Sequence, residues 1–231
     1  MLSIIIPTYN EAENLPELIF LLGNNLFNLD YEIIVVDDNS PDKTGKIAES
    51  LSDKYPVKVI HRNKKLGLAT AVVEGFKAAE GNLLCVMDAD LSHPPEKIAE
   101  MIKCLEKNGA DLVIASRLVE DGKIEKWPLH RQFISFCGRC LVWPLTNVKD
   151  PLSGFFIINK NVIRNLDFSP LGYKILLEIL VKGTYKKVIE YPFIFKNRAH
   201  GKTKLGGRTI FYYFVHVIRL YYYSLFSKKY E

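Results

Sequence analysis

The chain has 231 residues, of which 48% are hydrophobic and 25% charged, a composition that is typical of an ordered globular protein and excludes a disordered one. Its formal net charge of +5 permits an anionic partner, such as a nucleotide, a lipid phosphate or an acidic membrane surface, but does not predict nucleic-acid binding. Four cysteines in a chain of this length indicate a reduced, intracellular protein, and an N-terminus that opens on the apolar run 2–6 predicts no secretion signal.

The first half of the chain alternates apolar runs with amphipathic stretches. Strands are predicted at residues 3–6, 32–36, 57–60, 83–87 and 111–115. Helices are predicted between them, from residue 10 or 11 to about 22, from Ser40 and Pro41 to about Asp53, over 67–79 and over 94–107. Continuous apolar strands separated by helices predict an α/β fold, with a mostly parallel central sheet covered by helices on both faces.

Polar residues follow four of these predicted strands. The four segments are 7–11, 37–40, 88–90 and 116–117. Because ligands of such sheets bind beyond the carboxyl ends of the strands, the segments predict one shared site. Asp88 and Asp90 point the same way if the chain stays extended there, and two carboxylates suit a divalent cation that also holds phosphate oxygens. Acidic groups at two strand ends of one sheet would also repel each other without a cation.

Two common nucleotide-binding signatures are missing from the sequence. No G-x-G-x-x-G follows the first strand, which disfavours a dinucleotide-dependent dehydrogenase, and no G-x-x-x-x-G-K-[ST] is present, which disfavours a P-loop NTPase. Phosphate is therefore expected to be held by a metal ion and basic side chains.

The second half is less regular. We expect a helix over about 129–145, a loop at 150–154, a strand at 155–158, a helix over about 173–182 and a strand at 188–195. Pro192 interrupts the last strand and predicts a position near an edge of the sheet. The basic segment 196–204 follows, and its glycine and cationic side chains suit a loop that closes on a diphosphate, although a solvated charged loop is the alternative.

The C-terminal segment 209–226 is apolar and rich in Tyr and Phe, yet it contains His216 and Arg219 and is too polar to predict a transmembrane span. Basic residues flank it on both sides, a pattern typical of helices that lie in the membrane interface. A helix packed on the core is the alternative. We therefore divide the chain into a domain over 1–207 and a C-terminal amphipathic helix over 208–231.

Taken together, several motifs resemble the inverting glycosyltransferases of family 2, which have the Rossmann-like GT-A fold. The motifs lie at 7–11, 37–42, 88–95, 116–117, 150–155, 172–180 and 198–204. Within the family, the chain is most similar to the branch that transfers mannose from GDP-mannose to dolichyl phosphate, a polyprenyl phosphate. The resemblance implies a peripheral enzyme at the cytoplasmic face of a membrane, either with membrane-anchoring partner subunits or as part of a longer chain.

The resemblance also assigns roles to individual residues. The guanosine of the donor would be held by Pro7, Tyr9, Glu11, Val36 and Asp38. The nucleotide and metal motif would be Asp88, Ala89, Asp90 and Ser92. Asp90 would be the direct ligand of Mg²⁺ or Mn²⁺, whereas Ser92 stands where relatives often have Gln, so its hydroxyl would ligate the ion directly or through water. The donor phosphates would be contacted by Arg117, Arg198 and Lys204. The acceptor phosphate would be contacted by Arg117, Arg131 and Ser135.

The acceptor chemistry explains why no catalytic base is predicted. A phosphate monoester with a second pKa of about 6 is largely a dianion at neutral pH and can attack the sugar without help. Attack opposite the leaving group predicts inversion, and His93 is expected to be structural. Two alternatives stay open: a family 2 transferase with another donor, such as UDP-glucose, and a binding module without turnover.

Overall fold

The computed structural model describes residues 1–125, 128–196 and 207–226. The strands are β1 (Leu2–Thr8), β2 (Tyr31–Asp37), β3 (Val57–His61), β4 (Leu83–Val86), β5 (Leu112–Ser116), β6 (Lys123–Ile124), β7 (Phe156–Asn159), β8 (Val188–Pro192) and β9 (Ile194–Phe195). The helices are α1 (Leu15–Leu26), α2 (Thr44–Leu51), α3 (Leu68–Ala78), α4 (Lys97–Asn108), α5 (Leu129–Cys140), α6 (Ile175–Lys182) and α7 (Gly207–Phe226).

The main sheet has seven strands in the order β3-β2-β1-β4-β7-β5-β8. Only β7 runs antiparallel to its neighbours, so the predicted α/β fold with a mostly parallel sheet is confirmed. Strand β8 lies at the edge, as Pro192 predicted, and β6 pairs with β9 in a separate ribbon. Every residue of β1 is buried because helices cover both faces of the sheet, and a separate apolar cluster fills each side.

Three predicted helix starts are wrong, and the reasons lie in the loops that follow the strands. Helix α1 begins at Leu15, because Asn10 has a left-handed backbone with φ of 56° that cannot start a right-handed helix. Helix α2 begins at Thr44, because the Ser40 hydroxyl donates to Asp37 instead of capping a helix. Helix α4 begins at Lys97, so Pro94 lies in the preceding turn.

The predicted helix over 129–145 ends earlier, at Cys140, and is followed by a 3₁₀ turn over Trp143–Leu145. Pro144 within that turn lacks the N–H that an α-helix would need, which explains the break.

Helix α7 packs against α5 and α6 through one face and leaves the other exposed. A third apolar cluster joins it to the body, and its buried members include Leu177, Tyr213, Val217 and Leu220. The Tyr213 hydroxyl donates to the Gly138 carbonyl at 2.5 Å. The alternative of a helix packed on the core is therefore seen for one face of α7. A place for its exposed face in the membrane interface stays a prediction. No helix among the described residues combines the length and apolar character that a bilayer span requires.

Candidate active site

The Asp88–Ser92 segment turns sharply just beyond β4. The strand ends at Val86, the chain bends over residues 89–91, and Leu91 has a left-handed backbone with φ of 61°. The condition of an extended chain through Asp88 and Asp90 is therefore not met. The Asp88 side chain is 33% exposed, whereas Asp90 is only 3% exposed. The Asp90 Oδ1 atom accepts hydrogen bonds from the backbone N–H of Ser92 at 3.1 Å and from its hydroxyl at 2.5 Å. Ser92 therefore fixes the orientation of the Asp90 carboxylate.

His93 contacts this turn through a hydrogen bond to Asp88 and packs on the apolar residues beside it. Its Nδ1 accepts the backbone N–H of Asp88 at 3.0 Å, and its ring stacks on Phe155 with centroids 5.2 Å apart. Burial lowers the pKa of His93 to about 4, so the ring is neutral at physiological pH. A side chain on Gly154 would come within 3.4 Å of Asp88 Oδ2 and 3.3 Å of the His93 ring, which explains the glycine. The structural role expected for His93 matches this packing.

Arg117 and Asp150 form a buried bidentate ion pair beside the turn. The guanidinium donates from Nε at 2.8 Å and from Nη2 at 2.7 Å, and the Arg117 backbone N–H donates at 3.1 Å. Asp150 is fully buried. Burial by itself would raise the pKa of Asp150, but the hydrogen bonds and charge of Arg117 outweigh it and hold the pKa below its ordinary value. The loop at 150–154 thus holds the arginine that was predicted to contact phosphate.

At the carboxyl end of β2, Asp38 is bonded to other groups of the protein. Its predicted contact with the nucleoside stays a prediction. Asp38 is 4% exposed and accepts the backbone N–H groups of Leu66 and Gly67, each at 2.8 Å. It also pairs with the buried Arg62 at 2.8 Å. The negative charge of Asp38 is therefore balanced by Arg62, so Asp38 does not need a metal cation. No motif predicted Arg62, although a basic residue two positions after a predicted strand was an available signal.

The other predicted nucleoside residues surround the end of β1. Pro7 pairs in register with Val36, and both residues are buried. Tyr9 is half-buried, and the Glu11 carboxylate accepts from the Asn14 side chain at 2.8 Å. Ala89 is buried within the Asp88–Ser92 turn.

The predicted acceptor and diphosphate contacts fall largely outside what the structure shows. Arg198 and Lys204 lie outside the described residues, and the side chain of Arg131 is not among those described. Ser135 is half-buried on α5. These assignments stay predictions.

The donor set suits a hard divalent cation that shares its coordination with a substrate. Within 1–125, 128–196 and 207–226, no cluster of three or more His, Cys, Asp or Glu side chains could enclose a metal ion. Mg²⁺ and similar ions are commonly held by one or two carboxylates together with substrate phosphates, and Asp88 and Asp90 supply two. The residues present therefore fit such an ion.

Sequence comparison places this site in a family. The profile described as "Glycosyl transferase family 2" matches residues 3–167, which include the Asp88–Ser92 turn and the Arg117–Asp150 pair. The chain belongs to glycosyl transferase family 2. The resemblance inferred from the motifs is confirmed.

Relatives within the family share most of the chain. A dolichol-phosphate mannosyltransferase of Pyrococcus furiosus is 53% identical over 222 residues, covering 94% of this chain. The chain spans 63% of the length of that relative. A dolichol-phosphate mannosyltransferase of Saccharomyces cerevisiae is 35% identical, covering 95% of this chain and 86% of the relative.

The GT-A fold is also seen in solved structures. Glucosyl-3-phosphoglycerate synthase from Mycobacterium tuberculosis, in complex with Mn²⁺, UDP-glucose and phosphoglyceric acid, superimposes with a TM-score of 0.68. That match covers 96% of this chain and 78% of the synthase at 18% identity, which shows that the two chains share a fold.

Proposed function

We propose that this family 2 glycosyltransferase moves mannose from GDP-mannose to a dolichyl or related polyprenyl phosphate, with inversion, at the cytoplasmic face of a membrane. The observation that carries the proposal is the 53% identity to a dolichol-phosphate mannosyltransferase across 94% of the chain. The site supports it, because Asp88 and Asp90 follow the carboxyl end of β4 and Arg117, held by Asp150, follows that of β5. Ligands of such sheets bind beyond these strand ends.

Asp90, with Asp88 nearby, would hold Mg²⁺ or Mn²⁺ in this account. A bound divalent ion would supply Lewis-acid stabilisation of the negative charge that develops on the departing diphosphate. Ser92 donates to Asp90 and so orients that ligand, while its hydroxyl oxygen can also face the ion. One fold relative was crystallised with Mn²⁺, which agrees with this assignment.

The donor nucleoside would lie along the ends of β1 and β2, against Pro7, Tyr9, Glu11 and Val36. Asp38 would act by shaping this wall, since its oxygens accept from Leu66, Gly67 and Arg62. Arg117, held in place by Asp150, would face the phosphates, and Arg198 with Lys204 would close over them.

Transfer would proceed without a protein base. The acceptor phosphate is already a dianion near neutral pH. His93 is buried and neutral, and its Nδ1 is occupied by the Asp88 N–H, so it is not placed to remove a proton. Direct attack on the anomeric carbon from the side opposite GDP would convert an α-linked donor into a β-mannosyl phosphate. Arg131 and Ser135 on α5 would position the acceptor phosphate.

The exposed apolar faces of α5 and α7 support contact with a membrane. On α5 and the turn after it, Phe133, Phe136 and Trp143 are 66%, 52% and 69% exposed. On α7, Phe211, Ile218 and Tyr222 are 64%, 67% and 65% exposed. Hydrogen bonds from Tyr213 to Gly138 and from Tyr221 to Leu141 tie the two elements together. The lipid acceptor would thus reach the residues of α5 from the bilayer, with or without a membrane-anchoring partner subunit.

Removing two of these exposed side chains is expected to weaken membrane binding. The double variant Phe136→Ser and Ile218→Ser should lower partitioning onto vesicles of mixed neutral and acidic phospholipids by at least about tenfold, because each large apolar side chain gains about 1.5–3 kcal/mol on burial. Phe27→Ser is the matched control, since Phe27 is 75% exposed at the end of α1. Equal partitioning of all three proteins in a vesicle sedimentation assay would contradict the membrane assignment.

The proposed reaction is tested by incubating the chain with radiolabelled GDP-mannose and either dolichyl phosphate or dolichol, in the presence of Mg²⁺ or Mn²⁺. We expect lipid-linked mannose with the phosphate and none with the alcohol. Absence of product from dolichyl phosphate with both metals, under conditions where the chain is folded, would reject the proposal.

A further inference from the structure

The loop between β3 and α3 places a lysine at the predicted donor site. The Lys65 Nζ atom lies 3.5 Å from the centroid of the Tyr9 ring, well inside the range of a cation–π contact. Tyr9 follows β1, whereas Lys65 follows β3, so the contact bridges two strands that are not neighbours in the sheet. Neither the sequence motifs nor the family resemblance pointed to Lys65.

The backbone around Lys65 is held firmly. The N–H groups of the next two residues, Leu66 and Gly67, both donate to Asp38 at 2.8 Å. Arg62, buried at the start of the loop, pairs with Asp38 and donates to the Gly67 carbonyl at 3.3 Å. Asp38 therefore clamps both ends of the loop, and the position of the Lys65 backbone is fixed before any ligand binds.

The strand order indicates which part of the donor would meet Lys65. Neighbouring strands are about 4.8 Å apart, so the end of β2 lies roughly 10 Å from the end of β4, where Asp88 and Asp90 would bind the diphosphate. On the other side of β4, the loop at 150–154 fills the space, and Gly154 already packs against Asp88. A nucleoside diphosphate with its phosphates at Asp88 and Asp90 must then extend across β1 toward β2 and β3. Its base, not its phosphates, reaches Lys65.

We propose that Lys65 selects the guanine of the donor, by donating from its ammonium to the adjacent N7 and O6 acceptors of the base. Adenine carries an amino donor in place of O6, and uracil has no N7, so neither offers this pair of acceptors. The Tyr9 ring holds the ammonium at the edge of the site until the base arrives. This inference rests on the proposed function, because it takes the donor to be a guanosine diphosphate sugar.

The test compares Lys65→Met with Lys64→Met, a neighbouring exposed lysine whose replacement removes the same charge. The dissociation constants of GDP, ADP and UDP are measured by calorimetry with Mg²⁺ for both variants and for the wild-type chain. We expect Lys65→Met to raise the dissociation constant of GDP about tenfold, as for the loss of a good base contact. The dissociation constants of ADP and UDP should change by less than twofold. Lys64→Met should leave all three constants within twofold of the wild type.

Two results would overturn the role proposed for Lys65 and leave the proposed function intact. One is an equal weakening of the binding of GDP, ADP and UDP, which would show that the Lys65 ammonium contacts the phosphates and not the base. The other is a wild-type preference for GDP that Lys65→Met retains. A wild-type chain that binds UDP as tightly as GDP gives a different pattern: it rejects the guanosine donor of the proposed function, and the guanine contact with it.

Discussion

Asp90→Asn is expected to lower the rate of sugar transfer by at least about a thousandfold, which corresponds to roughly 4 kcal/mol in the activation barrier. Asp90 is 3% exposed and its carboxylate is oriented by Ser92, so its charge is concentrated where the donor diphosphate would lie. Asparagine keeps an oxygen that can accept from Ser92, so the fold should survive. What is lost is the negative charge that holds the divalent ion.

The comparison for Asp90→Asn is Glu96→Gln, which removes one carboxylate charge from an exposed position a few residues further along. Mn²⁺ with GDP should raise the melting temperature of the wild type and of Glu96→Gln, and should leave that of Asp90→Asn nearly unchanged, because only a ligand that binds the folded state stabilises it. Transfer by Asp90→Asn at a rate within tenfold of the wild type would remove Asp90 from the role of principal metal ligand.

Asp150→Ala is expected to destabilise the chain by about 3–5 kcal/mol, the usual cost of leaving one partner of a buried ion pair uncompensated. The Arg117 side chain would lose two hydrogen bonds to Asp150, at 2.7 and 2.8 Å, and the Arg117 backbone N–H would lose its hydrogen bond to the same carboxylate. Urea unfolding measures the loss. The exposed carboxylate of Asp53 gives the control, since Asp53→Ala should change the free energy of unfolding by less than about 0.5 kcal/mol.

The same pair predicts a dependence on pH. The pKa of Asp150 lies below the ordinary value of 3.8, so the ionised carboxylate stabilises the fold at pH above 3.8, and this contribution is lost as the pH falls through the lower folded-state value. As the pH falls from 3.8 through the folded-state pKa of Asp150, the free energy of unfolding of Asp150→Asn should therefore decrease less than that of the wild type.

A double variant separates stability from catalysis at this pair. Arg117→Met with Asp150→Leu replaces both charges by apolar groups, and such replacements are often close to neutral for stability. We expect the double variant to be more stable than Asp150→Ala but to transfer sugar at least about a hundredfold more slowly than the wild type, since Arg117 would no longer face the phosphates. Full activity in the double variant would show that Arg117 is structural only.

The sequence predicted the sheet well because its signals are local. Continuous apolar runs give buried parallel strands, and the ends of β1, β2, β4 and β5 do carry polar segments at one edge. Helix starts were harder to place, because Ser40 and Asn10 are good capping residues by type but are engaged in loop geometry.

The partnerships within the site could not be predicted in the same way. Arg62 is 24 residues from Asp38, and Arg117 is 33 residues from Asp150, and no spacing rule connects residues that only the folded chain brings together. Asp38 is an example. A motif predicts that it contacts the ligand, but the motif does not predict that its carboxylate accepts hydrogen bonds from the loop that carries Lys65.

The measurement that tests the central claim most directly is a donor competition. Equal concentrations of GDP-mannose and UDP-glucose are supplied together with dolichyl phosphate and Mg²⁺, each sugar labelled with a different isotope, and the lipid product is analysed by mass spectrometry. We predict a mannosyl phosphate carrying only the GDP-mannose label, in the β configuration by NMR. A lipid product labelled from UDP-glucose, or a mannosyl phosphate that retains the α configuration, would contradict the account.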